Sequence, residues 1–357
     1  MGYAFHLFKT SMIFFAENLN FEAVDFFDVK YLGNVGKELT EFGIKNKIST
    51  KTIKNFDNIN WNDDFDTFIL GHIKKIEFML PQLHNYTNRI ISKCLKYKKN
   101  LFLFEKDFIT PEIEREFEKN NVCLYYPEIT QANIPIDTVG KLYMSCIPSI
   151  AVFGTSSKQG KFTLQLNLRK EFIKNNYKVG QIGTEPSSLL FGFDYVYPLG
   201  YNSHNSLTGH DSILALNNFL MKIETEKEPD IIIIGSQSHT VPININNISN
   251  IPIYQQDILY AIKPDICLLC VNISDEIEYI EKNIMFLESI ANSKVLALII
   301  SPIKNIYRWT TIGNEIISNS KESIRKFKRK CSNLKIPIYE INECHDLFEH
   351  IINYLSE

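Results

Sequence analysis

The feature that most constrains the fold is a series of short, nearly continuous apolar segments in the second half of the chain. Each is far shorter than the roughly 20 residues of a membrane-spanning helix, and stretches with helical periodicity separate them. Strands buried on both faces have this composition, and their alternation with helices is typical of a doubly wound, mostly parallel α/β sheet. The six predicted strands are residues 150–153, 179–182, 231–234, 266–271, 295–300 and 336–341.

The first part of the chain shows a looser α/β pattern. The predicted strands are residues 67–71, 101–104 and 122–126, and the predicted helices are residues 73–98 and 111–120. The pattern is typical of a small Rossmann-like layer, although Gly71 and His72 lack the further glycines of a dinucleotide-binding motif. A chain of 357 residues is long enough for two cores. We therefore predict a Rossmann-like α/β domain at 1–146 and a second α/β domain at 147–357.

Acidic and basic side chains nearly cancel, with a formal net charge of -3. The protein as a whole therefore carries no positive field that would attract nucleic acid. The one basic cluster, residues 325–330, is interleaved with Ile324 and Phe327 at helical spacing. That spacing favours the solvated outer face of a helix, so we expect no nucleic-acid partner.

The sequence also predicts no membrane span and no signal peptide, since the N-terminus lacks a basic start, an unbroken apolar stretch and a cleavage site. The 7 cysteines are scattered, unlike those of a secreted disulfide scaffold. Cys267 and Cys270 form a CxxC pair inside a predicted buried strand. Residues three apart in a strand face opposite sides and cannot bind one metal ion together. We expect a cytoplasmic protein in which this pair belongs to the core.

A strand, a glycine-containing loop and a helix follow one another at the start of the second predicted domain. The strand SIAVF leads into GTSSKQGKFT, and LQLNLRKEFIKNN continues as a helix. Glycines allow the backbone to approach an anion, while main-chain N–H groups and the positive end of the helix dipole attract phosphate. The sequence therefore predicts a phosphate loop (P-loop) for a nucleoside triphosphate. It is formed by Gly154, Thr155, Ser156, Ser157, Lys158, Gln159, Gly160, Lys161, Phe162 and Thr163.

Two residues of this loop are expected to act on the phosphates and their metal ion. Lys161 would reach the terminal phosphates and stabilise charge on a transferred phosphoryl group. The Thr163 hydroxyl would ligate the Mg²⁺ that accompanies ATP or another triphosphate. The spacing differs from the commonest P-loop, because five residues separate Gly154 from Gly160 and Phe162 stands where a hydroxyl residue is usual.

Polar residues after the predicted strands are further candidates, since ligands of a doubly wound sheet lie at the carboxyl ends of its strands. Glu185 follows the second strand and is expected to bind Mg²⁺ or its water, the alternative being an exposed acid in a turn. After the third strand, Gln237 would orient water or substrate. His239 would act as a general acid or base, unless a loop carbonyl merely satisfies its ring. This tip lacks a carboxylate because Asp230 precedes the strand, which argues against metal-assisted hydrolysis. A lid at residues 201–204 and a base-recognition region at 301–308 are also predicted.

The loop spacing resembles that of the dethiobiotin-synthetase-like branch of P-loop proteins. The segments GTSSKQGKFTLQL, YKVGQIGTEPSSLLFG, PLGYNS and PDIIIIGSQSHTVP resemble those of the clostridial peptide-maturation system proteins. That family is associated with gene clusters for ribosomal peptides modified by radical-SAM enzymes. The resemblance covers about residues 147–271 and is only architectural before them. It implies a role in modifying or exporting a peptide, with a precursor peptide and a peptide-modifying enzyme as partners.

Three functions are compatible with these features. The first is an ATP-dependent enzyme that activates a peptide or amino-acid-like substrate, with Lys161, Gln237 and His239 as catalytic residues. The second is a scaffold without catalysis, in which the nucleotide orders a surface that docks a precursor peptide or a partner enzyme. The third is a group-transfer enzyme whose loop binds a phosphate-bearing donor.

Overall fold

The structure, a computed structural model, contains two parallel β-sheets. It describes residues 2–4, 21–30, 33–42, 50–71, 85–135, 140–199, 204–247, 251–301 and 319–356. All strand pairs within the two sheets are parallel. The predicted α/β class with a mostly parallel second sheet is therefore confirmed. Within the described residues, every helix is too short or too polar to cross a membrane.

The first sheet has six strands in the order β3-β2-β1-β4-β5-β6. This is the strand order of the Rossmann fold. Its strands are β1 (Gly2–Ala4), β2 (Asp25–Asp28), β3 (Ile53–Asn55), β4 (Thr67–Leu70), β5 (Asn100–Leu103) and β6 (Leu124–Tyr125). The helices α1 (Tyr86–Tyr97) and α2 (Pro111–Lys119) lie in this part of the chain. Side chains of both helices pack in one core with Phe68, Leu101 and Leu103.

The second sheet has seven strands in the order β10-β9-β12-β8-β13-β14-β15. Its strands are β8 (Ser149–Gly154), β9 (Val179–Gly183), β10 (Tyr195–Val196), β12 (Ile231–Gly235), β13 (Ile266–Val271), β14 (Lys294–Ile300) and β15 (Ile338–Glu340). Two small strands, β7 (Glu128–Ile129) and β11 (His204–Asn205), pair with each other. The remaining helices are α3 (Lys161–Lys174), α4 (His210–Lys227), α5 (Ile253–Ile262), α6 (Ile277–Ala291), α7 (Lys321–Lys330) and α8 (Cys344–Leu355).

The central strands of the second sheet are buried on both faces, as their composition predicts. Cys267 packs in one core cluster and Cys270 in another, on opposite sides of β13, so the prediction for the CxxC pair is confirmed. Helix α7 buries Ile324 and Phe327 and directs its basic residues outward, which confirms the interpretation of residues 325–330 as a helix face.

A fourth cluster joins the two sheets. It consists of Ala23, Phe26, Leu39, Ile53, Ile69 and Phe104 from the first sheet and its loops, with Leu166, Leu190, Phe191 and Phe193 from the second. Leu166 belongs to α3, and the others follow β9 in and after a 3₁₀ turn, Pro186–Phe191. Helix α3, which follows β8, and the 3₁₀ turn, which follows β9, therefore pack against one face of the first sheet.

The structure differs from the predicted elements mainly in the first sheet. Strands β1, β2 and β3 were not predicted. The helical pattern predicted over residues 73–98, which Pro81 interrupts, is confirmed for α1, which begins after Asn85 in a left-handed conformation with φ 63°. Residues 72–84 lie outside the described part. The strands predicted at 122–126 and 336–341 are shorter, at Leu124–Tyr125 and Ile338–Glu340.

Asp28, at the carboxyl end of β2, is 1% exposed. Its carboxylate accepts hydrogen bonds from Asn34 Nδ2 at 2.8 Å and Val29 N at 2.7 Å, yet burial raises its pKa to about 7. The folded state therefore holds this proton more tightly than the unfolded state, and the free energy of unfolding should fall between pH 4 and 7 by roughly a few kcal/mol. We expect Asp28→Asn to remove that part of the decline. Urea unfolding of both proteins at pH 5 and pH 7 measures it, and an equal decline in the variant would contradict it.

Candidate functional site

The turn between β8 and α3 is built around Gly160. This residue has φ 83° and precedes the first residue of α3. A Cβ at this position would lie 2.4 Å from Ile341 Cδ1. Both the left-handed backbone and the contact with β15 and its loop therefore require glycine here. Helix α3 starts at Lys161, with its N-terminus facing the loop, as the strand-loop-helix pattern predicts.

The side chain of Gln159 occupies the inside of the loop and is 1% exposed. Its Oε1 accepts a hydrogen bond from Ser156 N at 2.9 Å, and its Nε2 donates to Thr155 Oγ1 at 2.5 Å. A Cβ on Gly154 would lie 2.6 Å from Gln159 Oε1. Gly154 is thus the residue that leaves room for an acceptor oxygen within the loop, and the Ser156 N–H points at that oxygen.

The ammonium group of Lys161 is buried beside the same loop. Its Nζ donates to Ser156 O and to Ser238 O, both at 2.7 Å. Burial lowers its pKa to about 8, an effect that Cys270 and Glu185 oppose. Two carbonyl dipoles hold the ammonium, and the charge of Glu185 also acts on it. An anion within the loop would further balance the charge of the ammonium.

The tips of β9 and β12 come together beside this lysine. Gln237 Nε2 donates to Glu185 Oε1 at 2.5 Å, so two of the predicted site residues are in direct contact. Gln255, from α5, donates to the carbonyl of Gln237 and to that of His239 at 3.1 Å. His239 is 9% exposed. The structure therefore gathers Lys161, Glu185 and Gln237 in one site and places His239 in the adjoining loop.

Sequence reasoning missed the tip of β13. Asp275 Oδ2 accepts from Thr155 Oγ1 at 2.5 Å and from Asn272 N at 2.8 Å. Asn272 Nδ2 donates to Ser156 Oγ at 3.0 Å, and the Tyr279 hydroxyl donates to Thr155 O at 3.0 Å. Burial raises the pKa of Asp275, whereas its hydrogen bond from Thr155 lowers it. The segment VNISDE directly after a buried strand was the available signal, because this edge collects the polar residues of every strand.

Phe162 explains one departure from the usual loop sequence. Its ring lies 5.4 Å from that of Phe191 and 5.5 Å from that of Phe193. It packs against the cluster that joins the two sheets. The position after Lys161 therefore serves packing between the sheets and directs no hydroxyl into the loop.

Thr163 and Glu185 were predicted to bind a metal ion. Thr163 lies in the first turn of α3, about 200° around the helix from Lys161. Within the part of the chain that the structure describes, no three His, Cys, Asp or Glu side chains are grouped for metal binding. Metal ligation by this pair stays a prediction. The predicted lid, residues 201–204, lies outside the described residues apart from His204, and the base-recognition region is described only at Ser301.

No protein-family model matches the chain, and no curated protein matches it. Its fold is similar to that of a DUF1611 family protein from Anabaena variabilis, with 10% identity, 99% of both chains covered and a TM-score of 0.61. A nucleotide-binding protein from Archaeoglobus fulgidus, solved with ADP, has 17% identity over 56% of this chain and 86% of its own, with a TM-score of 0.34. The hydrogenase maturation factor HypB of the same organism has 13% identity over 59% and 89%, with a TM-score of 0.30. The first of these similarities covers both sheets, so it concerns the fold of the two parts together.

Proposed function

We propose that this chain binds a nucleoside triphosphate with Mg²⁺ at residues 154–163, within a P-loop domain at 147–357 that follows a Rossmann-like domain at 1–146. The buried ammonium of Lys161 carries this proposal. Few functions other than anion binding account for a lysine that lies beside an inward N–H group, at the start of a helix and at the carboxyl edge of a parallel sheet.

The residues present fit such a ligand. An acceptor oxygen already occupies the loop, that of Gln159, and Gly154 provides the space for it. A phosphate oxygen in its place would accept from Ser156 N and face the Lys161 ammonium. Glu185, whose carboxylate contacts Gln237 beside the ammonium, is placed to hold Mg²⁺, which would supply charge neutralisation of the phosphates. Thr163 lies about 200° around α3 from Lys161, so its hydroxyl fits the same ion less well and its role as a ligand stays a prediction.

We further propose that the protein is an ATP-dependent enzyme of a peptide natural-product maturation system, and that it activates a peptide or amino-acid-like substrate. The contact between Gln237 and Glu185 supports it, because this pair presents polar groups beside the ammonium. The resemblance of residues 147–271 to the peptide-maturation proteins gives the substrate class.

A separate observation favours the alternative function, a scaffold without catalysis. Phe162 follows Lys161 directly and packs against residues of the 3₁₀ turn, which begins after Glu185. A nucleotide that orders the loop would therefore also order the surface between the two sheets.

Identifying the nucleotide that the protein retains on purification tests the proposed binding. Measuring nucleotide turnover then distinguishes the enzyme from the scaffold. The protein is extracted with acid, and released nucleotides are identified by mass spectrometry; calorimetry with MgATP and MgGTP follows. Steady phosphate release that Thr163→Ala abolishes supports the enzyme, whereas tight binding without turnover supports the scaffold. No retained nucleotide together with no calorimetric binding would refute both.

Gln159→Ala should strengthen triphosphate binding. The ligand has to displace the Gln159 amide and its two internal hydrogen bonds, worth about 1 kcal/mol each, so we expect a Kd about 30-fold lower in the variant. Calorimetry with MgATP measures the difference, and Lys170→Ala, at an exposed position of α3 outside the loop, is the control. Weaker binding by Gln159→Ala would show that the glutamine contacts the ligand instead of competing with it.

A further inference from the structure

A cleft of about 880 Å³ lies between the two sheets, away from the P-loop. Its walls come from α2, β6 and the segment that follows β6 on one side, and from β10 and α4 on the other. Strand β6 is the last strand of the first sheet, and β10 is the last strand of the second. Each terminal strand has a sheet partner on one side only, and such edges can pair with an added strand.

The backbone of β6 is directed suitably for such pairing. Leu101 N, on β5, donates to Cys123 O at 2.9 Å. The carbonyl of Cys123 therefore points at β5. In a trans peptide unit, the N–H of the following residue points the opposite way, so the Leu124 N–H is directed away from the sheet. Leu124 itself lines the cleft.

The cleft is lined by phenol rings flanked by carboxylates. The Tyr126 hydroxyl donates to Glu114 Oε1. The Tyr195 hydroxyl donates to Glu226 Oε2 at 2.8 Å, and its ring stacks on Phe219 at 4.8 Å. Burial, together with Glu226 and Asp194, raises the pKa of Tyr195 to about 12. Aromatic faces beside carboxylates attract ammonium and guanidinium groups. Lys106 shows this at Tyr126, where its ammonium lies 5.3 Å from the ring centre.

Acidic side chains outnumber basic ones in the lining. Glu114, Glu118, Glu128 and Asp194 line the cleft, against Lys222 alone. Glu128 forms an ion pair with Lys106 at 2.6 Å, and Asp194 with Lys227 at 3.2 Å. Glu114 accepts from a neutral phenol, and Glu118 is exposed. With Glu128 and Asp194 paired, Glu114 and Glu118 stand against Lys222, so a small excess of negative charge remains in the cleft.

We propose that this cleft binds an extended, lysine- or arginine-bearing peptide segment that pairs with the open edge of β6 and places its cationic side chains between Glu114, Glu118 and the tyrosines. A volume of about 880 Å³ suits a short segment of this kind. The role of such a peptide as a substrate rests on the proposed function. Its binding needs no nucleotide, so the two proposals can fail separately.

The test uses the full chain without nucleotide and a fluorescein-labelled hexapeptide of alternating lysine and valine, blocked at its C-terminus. Fluorescence anisotropy at low salt should show saturable binding. Exchange of lysine for glutamate in the peptide should weaken binding at least 10-fold. Two further peptides carry N-methyl groups on alternate backbone nitrogens, one at the odd and one at the even residues. One of the two should bind about 10-fold more weakly, because its methyl groups replace the N–H groups that pair with β6.

Variants locate the site. Glu114→Gln and Tyr125→Ala should each weaken binding about 5-fold, and the exposed substitution Glu118→Lys should weaken it further without risk to folding. Glu281→Gln, which removes an exposed carboxylate on α6, should leave it unchanged. Absence of binding, equal binding of the glutamate peptide, equal binding of both N-methylated peptides, or an equal loss in Glu281→Gln would overturn the proposal. Competition by free lysine amide as strong as by the peptide would also overturn it, by reducing the cleft to a small-cation site.

Discussion

Lys161→Met is expected to weaken triphosphate binding at least 100-fold. Methionine keeps the apolar stem of the side chain within the loop, while the ammonium and its two hydrogen bonds to Ser156 O and Ser238 O are lost. Removing one partner of a desolvated charge interaction typically costs 2 to 5 kcal/mol, and 100-fold in Kd corresponds to about 2.7 kcal/mol. Calorimetric titration with MgATP and MgGTP gives both constants.

Lys170→Met is the matched control for that experiment. Lys170 lies on the same helix α3 but is exposed, so this variant should bind like the unmodified protein. Thermal unfolding should show that Lys161→Met remains folded, since the substitution also removes a buried charge. If Lys161→Met bound the nucleotide as well as the control does, the proposed phosphate site would be wrong.

Phe191→Ala is expected to lower the free energy of unfolding by about 3 to 5 kcal/mol, the usual range for a buried phenylalanine. Phe191 is 4% exposed and lies in the cluster shared by the two sheets. Its ring meets Phe162 edge-on at 5.4 Å, directly beside the P-loop. Loss of this ring leaves a cavity between the sheets, and the first sheet should then open before the second.

Urea unfolding gives the size of this effect, and hydrogen exchange shows where it acts. We expect the amides of β4 and β5 to lose protection at lower urea than those of β8 and β13 in the variant. Tyr354→Ala removes a half-exposed ring from α8, and it should cost less than about 1 kcal/mol. If Phe191→Ala lowered the free energy of unfolding by an equally small amount, the shared cluster would contribute little to the packing of the two sheets against each other.

Much of the second sheet could be predicted from local sequence. Segments such as 231–234 and 266–271 are short apolar runs between helical stretches, and their length and composition favour strands covered on both faces. Alternation along such a strand also places Cys267 and Cys270 on opposite sides. The first sheet could not be predicted as well, since β1 and β3 have 3 residues each and gain their stability from neighbours distant in the chain.

The sequence by itself determined the parallel α/β class, the order of a buried strand, a glycine turn and a helix at Gly154 to Thr163, and Lys161 as the residue of greatest interest. These follow from local periodicity and from the conformational freedom of glycine. Only the tertiary structure decided that Gln159 fills the loop, that Asp275 contacts Thr155, and that Phe162 joins two sheets. The partners of Gln159 are only three and four residues away, but the direction of its side chain depends on the conformation of the whole loop. The contacts of Asp275 and Phe162 link residues that are distant in the chain, because sheet order and packing bring them together only after the chain has folded.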